Sequence, residues 1–499
     1  MKTFPAWTFF GTASMLVLLA VAPAPARAAD LFLTGEREIY LAIDKLNAMG
    51  ELPGFLANTR PYSTAAVRAA LDNNPRTTIG QGFDAQLAKW VSFYARKTRL
   101  IRGTVEGDAS GKRQVRDNEG GVPTPKGISG RLSALAREET TPYLSAHASA
   151  ATFFGEGDDD GTRVGETALE VGYPYASLQG GKITTWYGPG RRGALIFTNN
   201  AQPYPGVRFH NPVPIAVPGF FSFLGNVQYD LFLARLDAAP DRPVPNPLLF
   251  GMRVAARPNR YLEIGLSRAA HYGGKGHGNG FSDWWKSFEG THDNLNAPLD
   301  NTGSFVGNQI AGFDVEATLP FKVQPVQLYL EMAGEDEAKI LGTPIPGPTK
   351  WAYVGGIFLP ALLGNSSFDL RLESARNHLK GDGPAWYYHP LYPHEYRGRI
   401  LGHPMGTDAS DLFLQGHYFF LPSTYLQLTA NRTDRYSLGP ARERTDHIAA
   451  GLVGWLSGKV RVETEFALDR VKDAGGVAGT RADDASFRLA VSYQTGWGR

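Results

Sequence analysis

The sequence predicts a mainly β protein: a large transmembrane antiparallel β-barrel of about 16 to 18 strands, preceded by a small N-terminal α-helical bundle. Three observations predict it. The chain opens on an export leader, its next stretch has a helical apolar period, and most of the remainder alternates with a period of two.

Met1 and Lys2 supply a positive start, Met15 to Ala22 an apolar centre, and Ala26-Arg27-Ala28 a small-residue cleavage site, so 1–28 is expected to be a secretory signal peptide. The apolar centre is too short for a membrane anchor, and Pro23 and Pro25 follow it directly. The chain has no cysteine, which excludes disulfides, thiolate chemistry, thiolate zinc sites and a lipidated cysteine behind the leader. Fifty Lys and Arg face 48 Asp and Glu, and the leader carries Lys2 and Arg27, so the mature chain keeps no basic excess. A general nucleic-acid binder needs one. The 58 glycines and 12% aromatic residues favour many turns and strands.

The next region, 29–103, carries the helical period. Ile39, Ala42, Ile43, Leu46 and Met49 line one helix face and Gly50 stops it. Ser63 is placed to cap a second helix bearing Val67, Ala70 and Leu71, and Leu87, Val91 and Tyr94 mark a third, expected to end near Gly103. The polar, glycine-rich stretch 104–130 reads as a linker.

From 131 to 499 the period is two. Val460, Val462, Thr464, Phe466 and Leu468 share one face and Arg461, Glu463, Glu465 and Asp469 the other. The same pattern sets Leu328 and Leu330 against Gln327 and Glu331, Leu370 and Leu372 against Arg371 and Glu373, and Leu489 and Val491 against Arg488. Runs of about ten residues suit strands that cross a bilayer at a tilt. A soluble sandwich or propeller also alternates. The export leader, the strand length and aromatics at run ends (Phe153-Phe154, Tyr173, Tyr175, Phe419-Phe420, Trp497) favour the barrel, which must close because an open edge would strand backbone groups in hydrocarbon. Gly498 and Arg499 after Trp497 depart from the aromatic ending common in such barrels.

Gly188, Gly190 and Gly193 form a Gly-x-Gly-x-x-Gly spacing, but Pro189 interrupts it, the following Ala194–Asn200 is β-like, and Pro203 and Pro205 leave no helix to receive a pyrophosphate. No dinucleotide cofactor is expected. The tract instead sets Arg191 and Arg192 beside Trp186 and Tyr187, with amides at Asn199 and Asn200. Aromatic faces, amides and guanidinium groups together suit sugars; a barrel corner fixed by Gly and Pro fits equally well.

These residues also carry a resemblance. "WYGPG" at 186–190, "LIFTNNAQPYPGVRF" at 195–209, the helical start behind a leader and the strand-rich remainder together resemble the capsule assembly Wzi family. The resemblance implies an outer-membrane barrel of a Gram-negative bacterium, about eighteen-stranded, with its helical bundle in the periplasm. It implies a lectin-like role in holding capsular or extracellular polysaccharide at the cell surface, beside outer-membrane lipids and polysaccharide export machinery. It carries over no sugar-contact residues.

Other candidates are weaker. His271 to Gly303 reads as an external loop whose Trp284 and Trp285 suit either glycan stacking or anchoring at the membrane interface. His389, His394 and His403 match no compact metal motif, and Asp158-Asp159-Asp160 reads as a solvated hairpin. No metal is expected. Neither a Gly-x-Ser-x-Gly elbow nor a His-Glu-x-x-His helix occurs. A polysaccharide-binding barrel, not an enzyme, is the leading reading; a solute-conducting porin and an outer-membrane hydrolase built on a carboxylate pair are the alternatives.

Overall fold

Alternation becomes architecture because a period of two sends neighbouring side chains to opposite faces of a sheet. The computed structural model describes residues 31–74, 76–155, 160–239, 242–289, 307–340, 343–380 and 386–498. The leader 1–28, Asp158, Asp159, residues 290–303 of the long polar loop and the side chain of Trp497 lie outside the described residues. Among the described residues, eighteen strands form one closed ring. They are β1 (Lys97–Ser110), β2 (Gly127–Thr141), β3 (Leu144–Phe154), β4 (Gly161–Tyr173), β5 (Ala176–Ile183) and β6 (Tyr204–His210). Then follow β7 (Asn226–Arg235), β8 (Leu248–Asn259), β9 (Leu262–Tyr272), β10 (Asn308–Leu319), β11 (Val326–Ile340) and β12 (Thr343–Leu359). The ring ends with β13 (Phe368–Arg376), β14 (Ala409–Leu421), β15 (Thr424–Arg435), β16 (Glu443–Trp455), β17 (Val460–Lys472) and β18 (Asp484–Gly498). Each strand pairs antiparallel with the next in sequence, and β1 pairs with both β2 and β18, leaving no open edge.

The apolar faces point outward. Phe466 is 48% exposed, as are Leu328, Leu372, Leu489 and Val491 to similar degrees, while Arg461, Glu331, Arg371, Glu373 and Arg488 are buried in the lumen. One signal at the run ends misled. Phe154, Tyr173 and Phe420 face outward, but Phe153 and Phe419 point inward, the latter only 2% exposed and packed 5.6 Å from Phe83. A pair of adjacent aromatics in a strand necessarily straddles the wall.

The predicted helices form, at α1 (Arg37–Ala48), α2 (Thr64–Asp72) and α3 (Phe83–Ala95). Gly50 follows α1 with φ +80°, and the Ser63 hydroxyl accepts hydrogen bonds from the Ala65 and Ala66 amides at the start of α2. The segment boundary differs from the expectation. The third helix ends at Ala95, and the closing strand of the barrel runs from Lys97 to Ser110 across the expected boundary between helical segment and linker. Its outward positions Gly103, Gly107 and Ala109 are small, which hid the alternation of Ile101 and Val105 against Arg102, Glu106 and Asp108.

The two ends of the barrel differ. At one, β2–β3, β4–β5, β8–β9 and β14–β15 join through two-residue turns; at the other, the connections 184–203, 273–307 and 377–408 are long. The helical unit enters from the short-turn end. Its apolar face, with Ile39, Ile43 and Leu46, packs on Tyr62, Val67, Leu87 and Val91. The opposite face of α1 is charged yet buried, because it meets the lumen wall: Glu38 pairs with Arg102 of β1 (2.5 Å), Lys45 with Asp369 of β13 (3.2 Å), and Asn47 accepts from Arg257 of β8 (2.8 Å). Glu38 and Lys45 thus each find an opposite partner, which their desolvation requires.

Candidate functional site

Three chain segments fill most of the lumen, and the β1–β2 connection adds Asp117 and Glu119. The N-terminal segment 31–62 enters from the short-turn end, and the β5–β6 and β13–β14 connections fold in from the long-loop end. Irregular backbone inside a barrel needs hydrogen-bond partners, and five wall glutamates supply them. Glu166 accepts from the Thr34 amide (2.9 Å), Glu263 from Ala57 and Asn58 (2.9 and 3.1 Å), and Glu331 from Leu195 (2.9 Å). Glu335 accepts from Tyr387 (2.8 Å), and Glu373 from both Arg191 and Arg192 (2.8 and 3.0 Å).

The segments from opposite ends also meet each other. Thr59 and Arg60 pair as a short antiparallel ladder with Tyr187 and Trp186, and the Arg191 guanidinium binds the Asp44 carboxylate at 2.8 Å. Burial pushes the Asp44 carboxyl up, but Arg191 and Arg60 beside it outweigh that and hold it below the usual carboxylate range. The two inserted loops join through the Thr198 amide to the Leu401 carbonyl (2.7 Å) and the Tyr387 hydroxyl to the Leu195 carbonyl (2.7 Å). This contact explains the glycine spacing: Gly188 has φ +130°, a side chain at Gly190 would strike the Gly193 carbonyl, and one at Gly193 would strike the His403 ring.

The three loop histidines are structural parts. His394 Nε2 donates to the Ile196 carbonyl (2.7 Å), while Nδ1 of His389 accepts from the Tyr392 amide (3.0 Å) and Nδ1 of His403 from Met405 (3.2 Å). Burial lowers each to about 4. Among the described residues no group of three or more potential ligands is placed to hold a metal ion.

Filling is uneven. The β6–β13 side of the lumen is packed, but on the β14–β18 side a vestibule of about 560 Å³ opens at the long-loop end, lined by Arg192, Arg399, Arg435, Thr429, Asn431 and Glu443 among others. Asp117 bridges Arg192 (2.6 Å) and Arg399 (3.0 Å); burial raises its carboxyl, and the two guanidinium groups pull it below the usual range. Deeper in, a cavity of about 250 Å³ is bounded by Arg37, Tyr40, Asp44, Trp186, Arg191 and Asn199.

The residues singled out in the sequence therefore separate. Arg192 reaches the vestibule, while Trp186, Arg191 and Asn199 border the inner cavity. Tyr187 is wholly buried, its hydroxyl donating to Asp230 (2.6 Å), and the Asn200 side chain donates to the Ile400 carbonyl (3.0 Å). Trp284 and Trp285 lie elsewhere, on the amphipathic helix α4 (Phe281–Glu289). That helix lies against the outer wall: Trp284 packs edge-on to Phe250 of β8 (5.6 Å) and clusters with Tyr272 of β9, and Arg268 of β9 donates to the Phe288 carbonyl (2.6 Å). Trp285 remains 45% exposed beside Phe281. The two tryptophans thus extend the apolar outer surface instead of rimming the vestibule. The role of the wall glutamates as backbone acceptors and the inward fold of the β13–β14 loop were not read from the sequence; inward-facing acids in excess of their cross-strand bases were the available signal.

The chain superposes on the Escherichia coli Wzi structure, described as an outer membrane protein involved in group 1 capsule assembly and a carbohydrate-binding β-barrel, with TM-score 0.72 at 18% identity over 93% of this chain and 99% of that one. Pseudomonas aeruginosa OprD matches with TM-score 0.48 at 10% identity, over 80% of this chain and 95% of that one. An uncharacterized 55.8 kDa protein in the cps region of Klebsiella pneumoniae is 32% identical over 182 residues, which is 36% of this chain and 33% of that relative's length. A family description, capsule assembly protein Wzi, matches residues 96–497, nearly the entire ring of strands. The chain belongs to the capsule assembly protein Wzi family.

Proposed function

We propose that this outer-membrane barrel binds capsular or extracellular polysaccharide and holds it at the cell surface. The observation that carries the reading is the doubly stoppered lumen, where the Asp44–Arg191 pair joins a plug from one end to a loop from the other. A barrel so filled is a poor solute channel and a rigid platform. Short turns of such barrels face the periplasm and long loops the exterior. The helical unit is accordingly assigned to the periplasm, where export machinery is the expected partner, and the vestibule opens outward. Its guanidinium, amide and hydroxyl groups suit an acidic glycan, with Arg192 and Arg399 as charge-assisted donors. Trp284 and Trp285 are assigned to anchoring in the membrane interface, where amphipathic rings settle. A hydrolase is disfavoured because the five wall glutamates already accept amides of the inserted backbone.

The test is binding of purified protein to a uronate-bearing capsular polysaccharide and to its carboxyl-reduced form. Saturable binding to the acidic form, weakened about tenfold in an Arg192→Ala/Arg399→Ala variant, supports the proposal. Equal or absent binding of both forms contradicts it.

A further inference from the structure

The outer wall between β13 and β18 carries a feature that polysaccharide binding does not use. A groove of about 1060 Å³ runs across its lipid-facing side, with Leu372, Leu412, Leu414, Ile448 and Leu468 along its walls and the small Ala430 at its floor. The strand register sets Ala430 opposite Ile448 and Ile448 opposite Leu468. One step nearer the long-loop end, the same three strands present Arg432, Asp446 and Arg470 side by side, and one step further Asp434, Arg444 and Lys472. The apolar band therefore ends abruptly in a double row of charges where the long loops begin.

Even counting Asp483, which also lines the groove, those rows hold more cations than acids. Arg432 pairs with Asp446 (2.6 Å) and Arg444 with Asp434 (2.8 Å), but Arg470 and Lys472 are exposed and make no ion pair among the described residues. Both faces of the arrangement matter. Hydrocarbon fits the leucine-lined groove, and surplus cations directly above it suit an anion at headgroup height.

We propose that this groove binds a phosphorylated, multiply acylated glycolipid of the outer leaflet, acyl chains in the groove and phosphate on Arg470 with Arg432. The assignment rests on the long-loop end facing outward, as argued above, which makes the charged rows level with outer-leaflet headgroups. Arg432 can share its guanidinium between Asp446 and a phosphate, since it is half exposed. Arg470 is the unshared donor. Ala430 matters for the opposite reason, because a large side chain there would fill the floor.

The experiment is native mass spectrometry of the intact protein in detergent, titrated with bis-phosphorylated lipid A and, separately, with phosphatidylethanolamine. The wild type is expected to retain lipid A in preference to phosphatidylethanolamine. Arg432→Ala/Arg470→Ala should weaken lipid A at least about tenfold with phosphatidylethanolamine unchanged, and Ala430→Trp should weaken both, with heat-modifiable mobility retained by each variant. Equal retention of the two lipids by the wild type overturns the proposal, as does unchanged lipid A affinity in the arginine variant. A two-copy mass abolished by Ala430→Trp overturns it too, by giving the groove to a second copy of the chain. None of these outcomes bears on glycan binding at the vestibule, which is measured separately.

Discussion

Asp44, on the plug helix, and Arg191, on a loop inserted from the opposite end, meet in the lumen at 2.8 Å. The Asp44 carboxylate also receives Arg60 and the Tyr62 hydroxyl, so one side chain gathers three donors. Removing it in Asp44→Ala leaves two buried guanidinium groups without their acceptor, a loss of about 3–5 kcal/mol for a broken buried pair. Amides of 184–203 should exchange faster with deuterium in the variant while the barrel strands keep their protection. Arg191→Ala on the Asp44→Ala background should cost much less than in the wild type, since the partners are coupled.

Glu373 offers a narrower test, because its carboxylate accepts the amides of Arg191 and Arg192 together. Glu373→Ala orphans both, at about 1–3 kcal/mol for each buried donor. Glu373→Gln keeps one side-chain acceptor and should cost less. Hydrogen exchange at the two arginine amides, compared between the variants, reads the difference; equal exchange would remove the wall glutamate from its assigned role.

The docking of the β13–β14 loop should weaken in acid. His389, His394 and His403 are held neutral to about pH 4 by burial, whereas an exposed imidazole protonates near pH 6.5. The undocked loop therefore binds more protons than the docked one across that interval. The stabilisation is complete above about pH 6.5 and is lost as pH falls towards 4, at up to about 1.4 kcal/mol per pH unit for each imidazole. Limited proteolysis within 386–408 should accelerate from pH 7.5 to pH 5, and less so in His394→Gln.

Topology is tested at neighbouring positions of β17. Phe466 faces lipid and Glu465 the lumen. Phe466→Arg should cost about 2–4 kcal/mol near mid-membrane and reduce folded protein in outer membranes, whereas Glu465→Gln should be mild. Equal tolerance in a heat-modifiability assay would count against the lipid-facing assignment.

What the sequence disclosed follows from which physical signals are local. Alternation placed Phe466 and Arg461 on their proper faces, and Ser63 and Gly50 marked helix ends, because both depend on residues within a few positions. β1 was lost because Gly103 and Gly107 diluted its outer face, as short-range reading cannot know that Lys97–Ser110 closes a ring between β2 and β18. The tract around Trp186 fitted a sugar-binding surface and a barrel corner equally well because a polar lumen and water select the same residue types. Only the acceptors opposite its backbone, Glu331 and Glu373 on distant strands, distinguish the two environments. Trp284 and Trp285 likewise gave no hint that α4 lies against β8 and β9.

The central claim is that this barrel is a closed platform and not a pore, and single-channel recording of the purified intact protein in planar bilayers tests it most directly. The account predicts no sustained ionic conductance at neutral pH, because plug and inserted loops meet at Asp44 and Arg191. Stable, ohmic conductance steps from the unmodified protein would contradict it.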